Sequence, residues 1–474
     1  MNLRYSYITH ILLFMVIVVP LILSGCAQAT PATVQTEVAQ TIPATIQVEA
    51  AQTDPVRAYA GKTLRIALED NDATTTIKQL IGEFEQETGI TVQLEVFDET
   101  TLRQKLVLDF TSDTKTYDIG ELQYWFVPEF ASAGYLVPLD DLIAKGTIPG
   151  WLDINDFPGR TIDSMKYEGK LYGLPVRLIG GMEYYRKDLL QENGWSVPET
   201  TADVLDLAKK TKEVYGDEVF GWSERGNRES SAFGSFAGWA AAYGAKLLDD
   251  EDRPTLLTDP AWKAAITDWV TLMKDYSAPG AANMSWYDAY QLFQAGGAIQ
   301  MFETSDYGAV FEDPAQSKVV GKVGYAPAPT GSAGKSAQWF FVGGYSINND
   351  ISPEQQGAAW LFLQWRSSAG VLAKEMTVPT SPRFTVPSTK VLNSSEFDQA
   401  AAEQNLTDYA EGMRSVFETM DPWYWPFVPE YIKIGEAFAT NVSSAIAGEM
   451  TVDEVLQKSN TEIEQILSEA GYYE

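Results

Sequence analysis

Between Lys62 and Leu122 the hydrophobic period of the chain changes four times, and this stretch narrows the possible folds more than any other. TLRIALED alternates through Leu64, Ile66 and Leu68, the period of a strand half-buried on one face. Ile77, Leu80, Ile81 and Phe84 then recur at helical spacing, and Gly89 supplies the stop. Alternation returns through Ile90, Val92, Leu94 and Val96, a second helix is centred on Leu102 and Leu106, and YDIGEL from Tyr117 reads as a third strand. Strand, helix, strand, helix, strand predicts an α/β body: a parallel sheet with helices on its faces. Ligands of such sheets collect in the loops at the carboxyl ends of the strands. Here those loops hold Glu69 to Asp72 and Gln123 to Phe126.

Later segments continue the mixture. MEYYRKDLLQENG runs from a strand into a helix that stops at Gly194, and DPAWKAAITDWVTLMKDY predicts an amphipathic helix. SPEQQGAAWLFLQWRSS predicts another, capped by Ser352. Thr451 and Glu454 fit a capping box at the head of the last helix. No repeat of solenoid period is present. Residues 27–60, rich in Ala, Thr, Gln and Pro and lacking Trp and Phe, predict a solvated tether.

Ahead of the tether, ILLFMVIVVPLIL is shorter than the roughly 20 residues that span a bilayer. It follows one cation, Arg4, and ends in Leu23-Ser24-Gly25-Cys26, which predicts a secretory signal over residues 1–25. The tetrad resembles the bacterial lipobox, which implies cleavage before Cys26 and diacylation, palmitate-type, on its sulfur. Acyl chains contribute ~0.8 kcal/mol per buried CH₂, so two or three of them anchor a protein stably. The alternative, an uncleaved anchor, places the remainder of the chain outside the cytoplasm as well.

Cys26 is the only cysteine and His10, inside the signal, the only histidine. A chain starting at Cys26 therefore has no Ser-His-Asp or Cys-His triad, no His/Cys zinc site and no disulfide. Net charge is −31, and −32 without the signal, which repels nucleic acid and anionic lipid. No cofactor is expected. Thirteen tryptophans need an explanation.

Several stretches, taken in order, resemble the extracellular solute-binding proteins, family 1, of ABC sugar importers, and most of all their sorbitol- and mannitol-type polyol binders. They are WFVPEFASAGYLVPLDDLI after Tyr117, GKLYGLPVRLIGGMEYYRKDLL from Gly169, DPAWKAAITDWVTLMKDYSAPGAA, LFQAGGAIQMF, EDPAQSKVVGKVGYAPAP and AIAGEMTVDEVL. The resemblance implies a two-lobed periplasmic-binding-protein-like fold of type II, with a ligand cleft between lobes joined by hinge strands. It places residues 61–175 and about 345–390 in lobe 1, and 176–344 and about 391–474 in lobe 2. It implies a monomer that captures a small neutral carbohydrate or polyol and passes it to the membrane subunits of an ABC permease, held at the outer face of the cytoplasmic membrane by its lipidated cysteine, with no catalysis.

Such a ligand presents C–H faces to flat aromatic rings and hydroxyl edges to planar polar groups. Trp262, Trp269 and Trp360 sit at helical spacing and read as core. The loop aromatics Tyr124, Trp125, Trp222, Trp286, Trp339, Trp423 and Trp425 are the ring candidates, each open to a plain packing role. Polar candidates are Asn71 and Asp72 after the first strand, Arg177 after the crossover proline, Arg225 in SERGNRE, Asp288, Glu303 and Asp306 around MFETSD, and Arg383 in TSPRF. Turn chemistry, surface ion pairs and helix-start carboxylates are their plain alternatives. The sequence departs from the polyol binders at Val176-Arg177-Leu178-Ile179 and at Trp339-Phe340-Phe341-Val342-Gly343-Gly344, which leaves pentose, hexose, disaccharide and polyol all open. A lipid-anchored glycosidase with paired carboxylates is the rival reading. A metal receptor using Tyr184 and Tyr185 is opposed by strand geometry, which sends neighbours to opposite faces.

Overall fold

A computed structural model describes residues 54–112, 114–158, 161–378, 383–419 and 428–473. The first five predicted elements are present: β1 (Thr63–Glu69), α1 (Asp72–Thr88), β2 (Thr91–Phe97), α2 (Glu99–Thr111) and β3 (Ile119–Gln123). The Asn71 side chain accepts from Thr74 N at 2.9 Å and caps α1. Gly89, at φ +75°, ends it in the left-handed conformation that costs glycine least. β1 pairs in parallel with both β2 and β3, and Leu64, Ile66, Leu68 and Ile119 are fully buried beneath the helices.

After a short hairpin, β4 (Lys166–Tyr167) and β5 (Lys170–Leu171), comes the 13-residue β6 (Leu174–Arg186). Three strands follow: β7 (Gln300–Thr304), β8 (Val323–Pro327) and β9 (Phe340–Ile347). The sheet runs β2-β1-β3-β9-β6-β7, with β8 also on β6. The first part of β6, Leu174 to Gly180, pairs with β9, which continues antiparallel onto β3. From Gly181 onward β6 pairs instead with β7 and β8. One strand thus belongs to two half-sheets, and the change of partner falls at Gly180–Gly181. Neither residue has room for a side chain: a Cβ on Gly180 would lie 2.5 Å from Val416 Cγ1, and one on Gly181 2.7 Å from Phe302 and from Trp339 Nε1.

Each half-sheet has its own cover. Helix Pro353–Arg366, capped by Ser352 as the sequence predicts, packs on β1 and β9. In the second lobe, helices Ser230–Ala242, Pro260–Asp275, Tyr431–Ile446 and Val452–Glu469 enclose a core rich in indoles. Trp222, Trp239 and Trp269 meet edge to face at 5.7–6.2 Å, each contact contributing ~0.5–1.5 kcal/mol beyond area burial. Trp262, Trp269 and Trp360 are core residues, and Thr451 and Glu454 form the expected capping box. Much of the tryptophan count is therefore packing. Among the described residues no helix is long and apolar enough to cross a membrane.

Candidate functional site

The carboxyl ends of β1 and β3, the hinge strand β6 and the loop after β7 converge on the Arg177 guanidinium. Its Nε lies 3.0 Å from Asp72 Oδ1, the first residue of α1, and its Nη2 bonds Asp306 Oδ2 at 2.5 Å, two residues beyond β7. Nη1 is 4.0 Å from Glu69 Oε1, and the guanidinium carbon stands 5.2 Å from the Phe341 ring centroid. An arginine of β6 thereby links the acid that opens α1 with the one that follows β7 while resting on a ring. Burial disfavours its charge, but Asp72 and Asp306 outweigh that and hold it more firmly protonated than usual. Burial likewise opposes ionisation of Asp72, yet Arg177 and Arg383 keep its carboxyl below the ordinary range.

Around this centre lie more carboxylates than cations. Glu121 accepts from Asn71 Nδ2 at 2.9 Å and from Glu69 N at 3.0 Å, and Gln123 Nε2 donates to Glu69 Oε2 at 2.7 Å. Burial, with Glu69 adding repulsion, pushes Glu121 up to about 7. Burial also raises Glu69 against the pull of Arg177. Glu99, the first residue of α2, is driven up to about 8 by burial and by Glu69; Arg225 offsets part of this and Glu229 adds to it. Nothing in the single-strand alternation singled out Glu99 or Glu121. The one available signal for Glu121 was its place two residues before Gln123, on the face that Glu69 reaches.

On the second lobe, Arg225 makes a two-pronged contact with Glu303, and both are buried. Glu303 Oε2 also accepts from Thr304 N at 2.7 Å, and Glu224 Oε1 accepts from Arg225 N at 2.9 Å. Burial, reinforced by Glu303, lifts the Glu224 carboxyl well above its usual range. Behind the centre, the buried Arg383 bonds Glu375, Val176 O at 2.6 Å, Thr385 O at 2.7 Å and Asp72 Oδ2 at 3.2 Å. It fixes the carbonyl next to Arg177 and the carboxylate that Arg177 meets. Tyr124 is buried against Phe340, and Trp125 stands half-buried between Phe341 and Tyr431.

The structure brings Asn71, Asp72, Arg177 and Asp306 together, with Trp125 nearby and Arg225 and Glu303 on the opposite lobe. It does not bring Trp222 there: that indole is enclosed in the second-lobe core. Trp339 is buried under Gly181 and Gly238. Asp288 is spent on Ser285, accepting from its N at 2.9 Å and its Oγ at 2.7 Å in a capping box. Trp286 stands at the surface, 42% exposed. Trp423, Trp425 and Cys26 lie outside the described residues. Gly343 completes the floor: its Cβ direction points at Glu121 Oε1, 3.5 Å away, and at Arg177 Cβ, 3.6 Å away.

Two α/β lobes sharing crossover strands, with polar groups and rings converging from both, define the class of two-lobed ligand-binding proteins. The chain belongs to the bacterial extracellular solute-binding protein family, whose description matches residues 70–372. It is 26% identical over 443 residues to the mannitol-binding protein of Pseudomonas aeruginosa, covering 88% of this chain and 96% of that one. A solute-binding protein of Agrobacterium radiobacter in complex with ribitol superposes with a TM-score of 0.76 at 27% identity, covering 86% of this chain and 99% of its own. One from Agrobacterium vitis with bound D-mannitol gives 0.75 at 26%, covering 87% and 100%.

Proposed function

We infer that this protein captures a polyol or sugar between its lobes and delivers it to the permease of an ABC importer, as a binding protein with no turnover. The observation that carries the reading is the Arg177 cluster. A planar donor, acid acceptors from both lobes and the Phe341 ring meet in one place, the complement that a hydroxyl-bearing carbon chain needs. The relatives that bind mannitol and ribitol support the same ligand class. The Leu23-Ser24-Gly25-Cys26 tetrad supports lipidation and attachment to the outer face of the cytoplasmic membrane.

A thermal-shift series with D-mannitol, ribitol, sorbitol and common hexoses tests the reading. A ligand at a hundred times its Kd stabilises by about 2.7 kcal/mol, a shift of several degrees. No shift with any member of the panel rejects it. Overnight incubation with oligosaccharides, analysed for products, tests the glycosidase alternative, for which cleavage of a glycosidic bond is the expected outcome. Acyl labelling of the wild type, lost in Cys26→Ser together with release of protein to the medium, is the outcome expected for the anchor.

A further inference from the structure

Six glycines lie within the described β-strands: Gly120, Gly180, Gly181, Gly324, Gly343 and Gly344. A glycine inside a strand weakens it, so each one needs a reason. None of the six has a positive φ, so backbone conformation does not supply it. For five of them crowding does. An added Cβ would lie 2.8 Å from Leu106 at Gly120, 2.5 Å from Val416 at Gly180, 2.7 Å from Phe302 at Gly181 and 2.5 Å from Met165 at Gly344, and it would overlap the Tyr185 ring at Gly324. Gly343 is the exception. The atoms nearest to its Cβ position are Glu121 Oε1 and Phe341 Cε1 at 3.5 Å and Arg177 Cβ at 3.6 Å, ordinary van der Waals contact. Nothing in the folded chain keeps a side chain out of that position, so the reason for glycine lies outside the packing of the fold. Close approach of a ligand to the backbone is the remaining one.

Gly343 also stands at the centre of the site. It pairs in register with Gln123 of β3 on one side and with Arg177 of β6 on the other, so the three share one face of the sheet and the middle of the row is bare. The register shift between Pro175 and Arg177 brings the arginine into this row, and Arg383 holds the carbonyl of the intervening Val176. The notch left by the missing side chain has an acid oxygen on one wall, a ring edge on the second and the aliphatic stem of Arg177 on the third. Glu121 Oε1 accepts from Asn71 and has a second lone pair for a hydroxyl donor. One acceptor beside two apolar surfaces is the complement of an H–C–OH unit. We propose that Gly343 is a specificity-determining residue, whose bare backbone admits one carbinol carbon of the bound polyol or sugar between Glu121, Phe341 and the stem of Arg177. This rests on the reading of the cleft as a polyol and sugar site.

Titration calorimetry and scanning calorimetry on the full chain test it, with D-mannitol, ribitol, sorbitol and common hexoses as ligands. Gly343→Ala fills the notch with one methyl. The ligand-free Tm of this variant is expected to equal or exceed that of wild type, because the methyl meets nothing closer than 3.5 Å and the unfolded chain loses freedom. Its Kd for whichever ligand the wild type binds is expected to rise at least about tenfold, the effect of one methyl forced into a filled space. Gly344→Ala is the contrast: its methyl would lie 2.5 Å from Met165, so its Tm is expected to fall. A Kd within twofold of wild type in Gly343→Ala overturns the proposal and leaves the polyol and sugar reading standing. A Tm lowered in Gly343→Ala as far as in Gly344→Ala also overturns it, since the glycine would then serve packing. Binding of no member of the panel by the wild type rejects the underlying reading, and the proposal falls with it.

Discussion

Glu183 sits in the middle of β6 with no solvent exposure, and neither carboxylate oxygen has a hydrogen-bond partner. Desolvation alone pushes its pKa well above the usual range. The folded protein therefore keeps this carboxyl protonated, whereas the unfolded chain ionises it near pH 4.3. Each pH unit above that value costs the fold up to ~1.4 kcal/mol until the folded group ionises as well. Glu183→Met, which removes the acid at similar volume, is expected to raise Tm by an amount that grows progressively from pH 5 to pH 8. Scanning calorimetry across that range checks it, and equal gains at pH 4 and pH 8 would reject the titration argument. Arg177 answers to the opposite logic, because it is paired. Arg177→Met leaves Asp306 without its cation, and truncating one partner of a buried charge pair costs ~2–5 kcal/mol. Calorimetric titration is expected to show the polyol Kd of this variant raised at least ~30-fold, while a Kd within threefold of wild type would remove Arg177 from the site.

At the level of elements, the decisive piece is β6, which serves both half-sheets and changes partners at two glycines. Gly181→Ala places a methyl within 2.7 Å of Phe302 and the Trp339 indole, so overpacking of ~1–3 kcal/mol is expected as a lower denaturation midpoint at unchanged m-value. The elements themselves were largely legible. The alternation of Leu64, Ile66 and Leu68, the helical spacing of Ile77 to Phe84 and the caps at Ser352 and Thr451 are local signals, and all four describe the folded chain. The candidate site was legible where a residue type stood out in a loop or hinge, as with Asp72, Arg177 and Asp306. It was not legible at Glu99 and Glu121. Helix-start acids and acids within strands are common, and what makes these two unusual is the approach of segments far away in sequence, which no local pattern encodes. Trp222 misled for the reverse reason: a loop-like position by sequence is an enclosed one once Trp239 and Trp269 fold over it.

For the whole molecule, closure of the lobes is expected to be coupled to protons through Glu99. It lies at the edge of the first lobe, facing Arg225 and Glu229 of the second, and the present arrangement lifts its carboxyl to about 8. Parting of the lobes is expected to let water reach Glu99 and to bring its carboxyl back toward the ordinary range. Closing between about pH 4.5 and pH 8 therefore takes up a proton, so closure is favoured at the acidic end and weakens as pH rises through that window. Ligand affinity is expected to fall from pH 5 to pH 8, by at most tenfold per unit, and to level off above pH 8; Glu99→Gln should flatten the profile, and a profile unchanged by that substitution would reject the coupling. The pairing of β3 with β9 has a further consequence, for how the chain is made. Ile119 waits for Ile347, more than two hundred residues downstream, before the first sheet gains its antiparallel neighbour. Contacts of such separation form late. A polypeptide cut before Phe340 is expected to be digested by protease at every concentration that spares the full chain, and the nascent protein should stay pliable enough to thread an export channel until nearly three quarters of it has been synthesised.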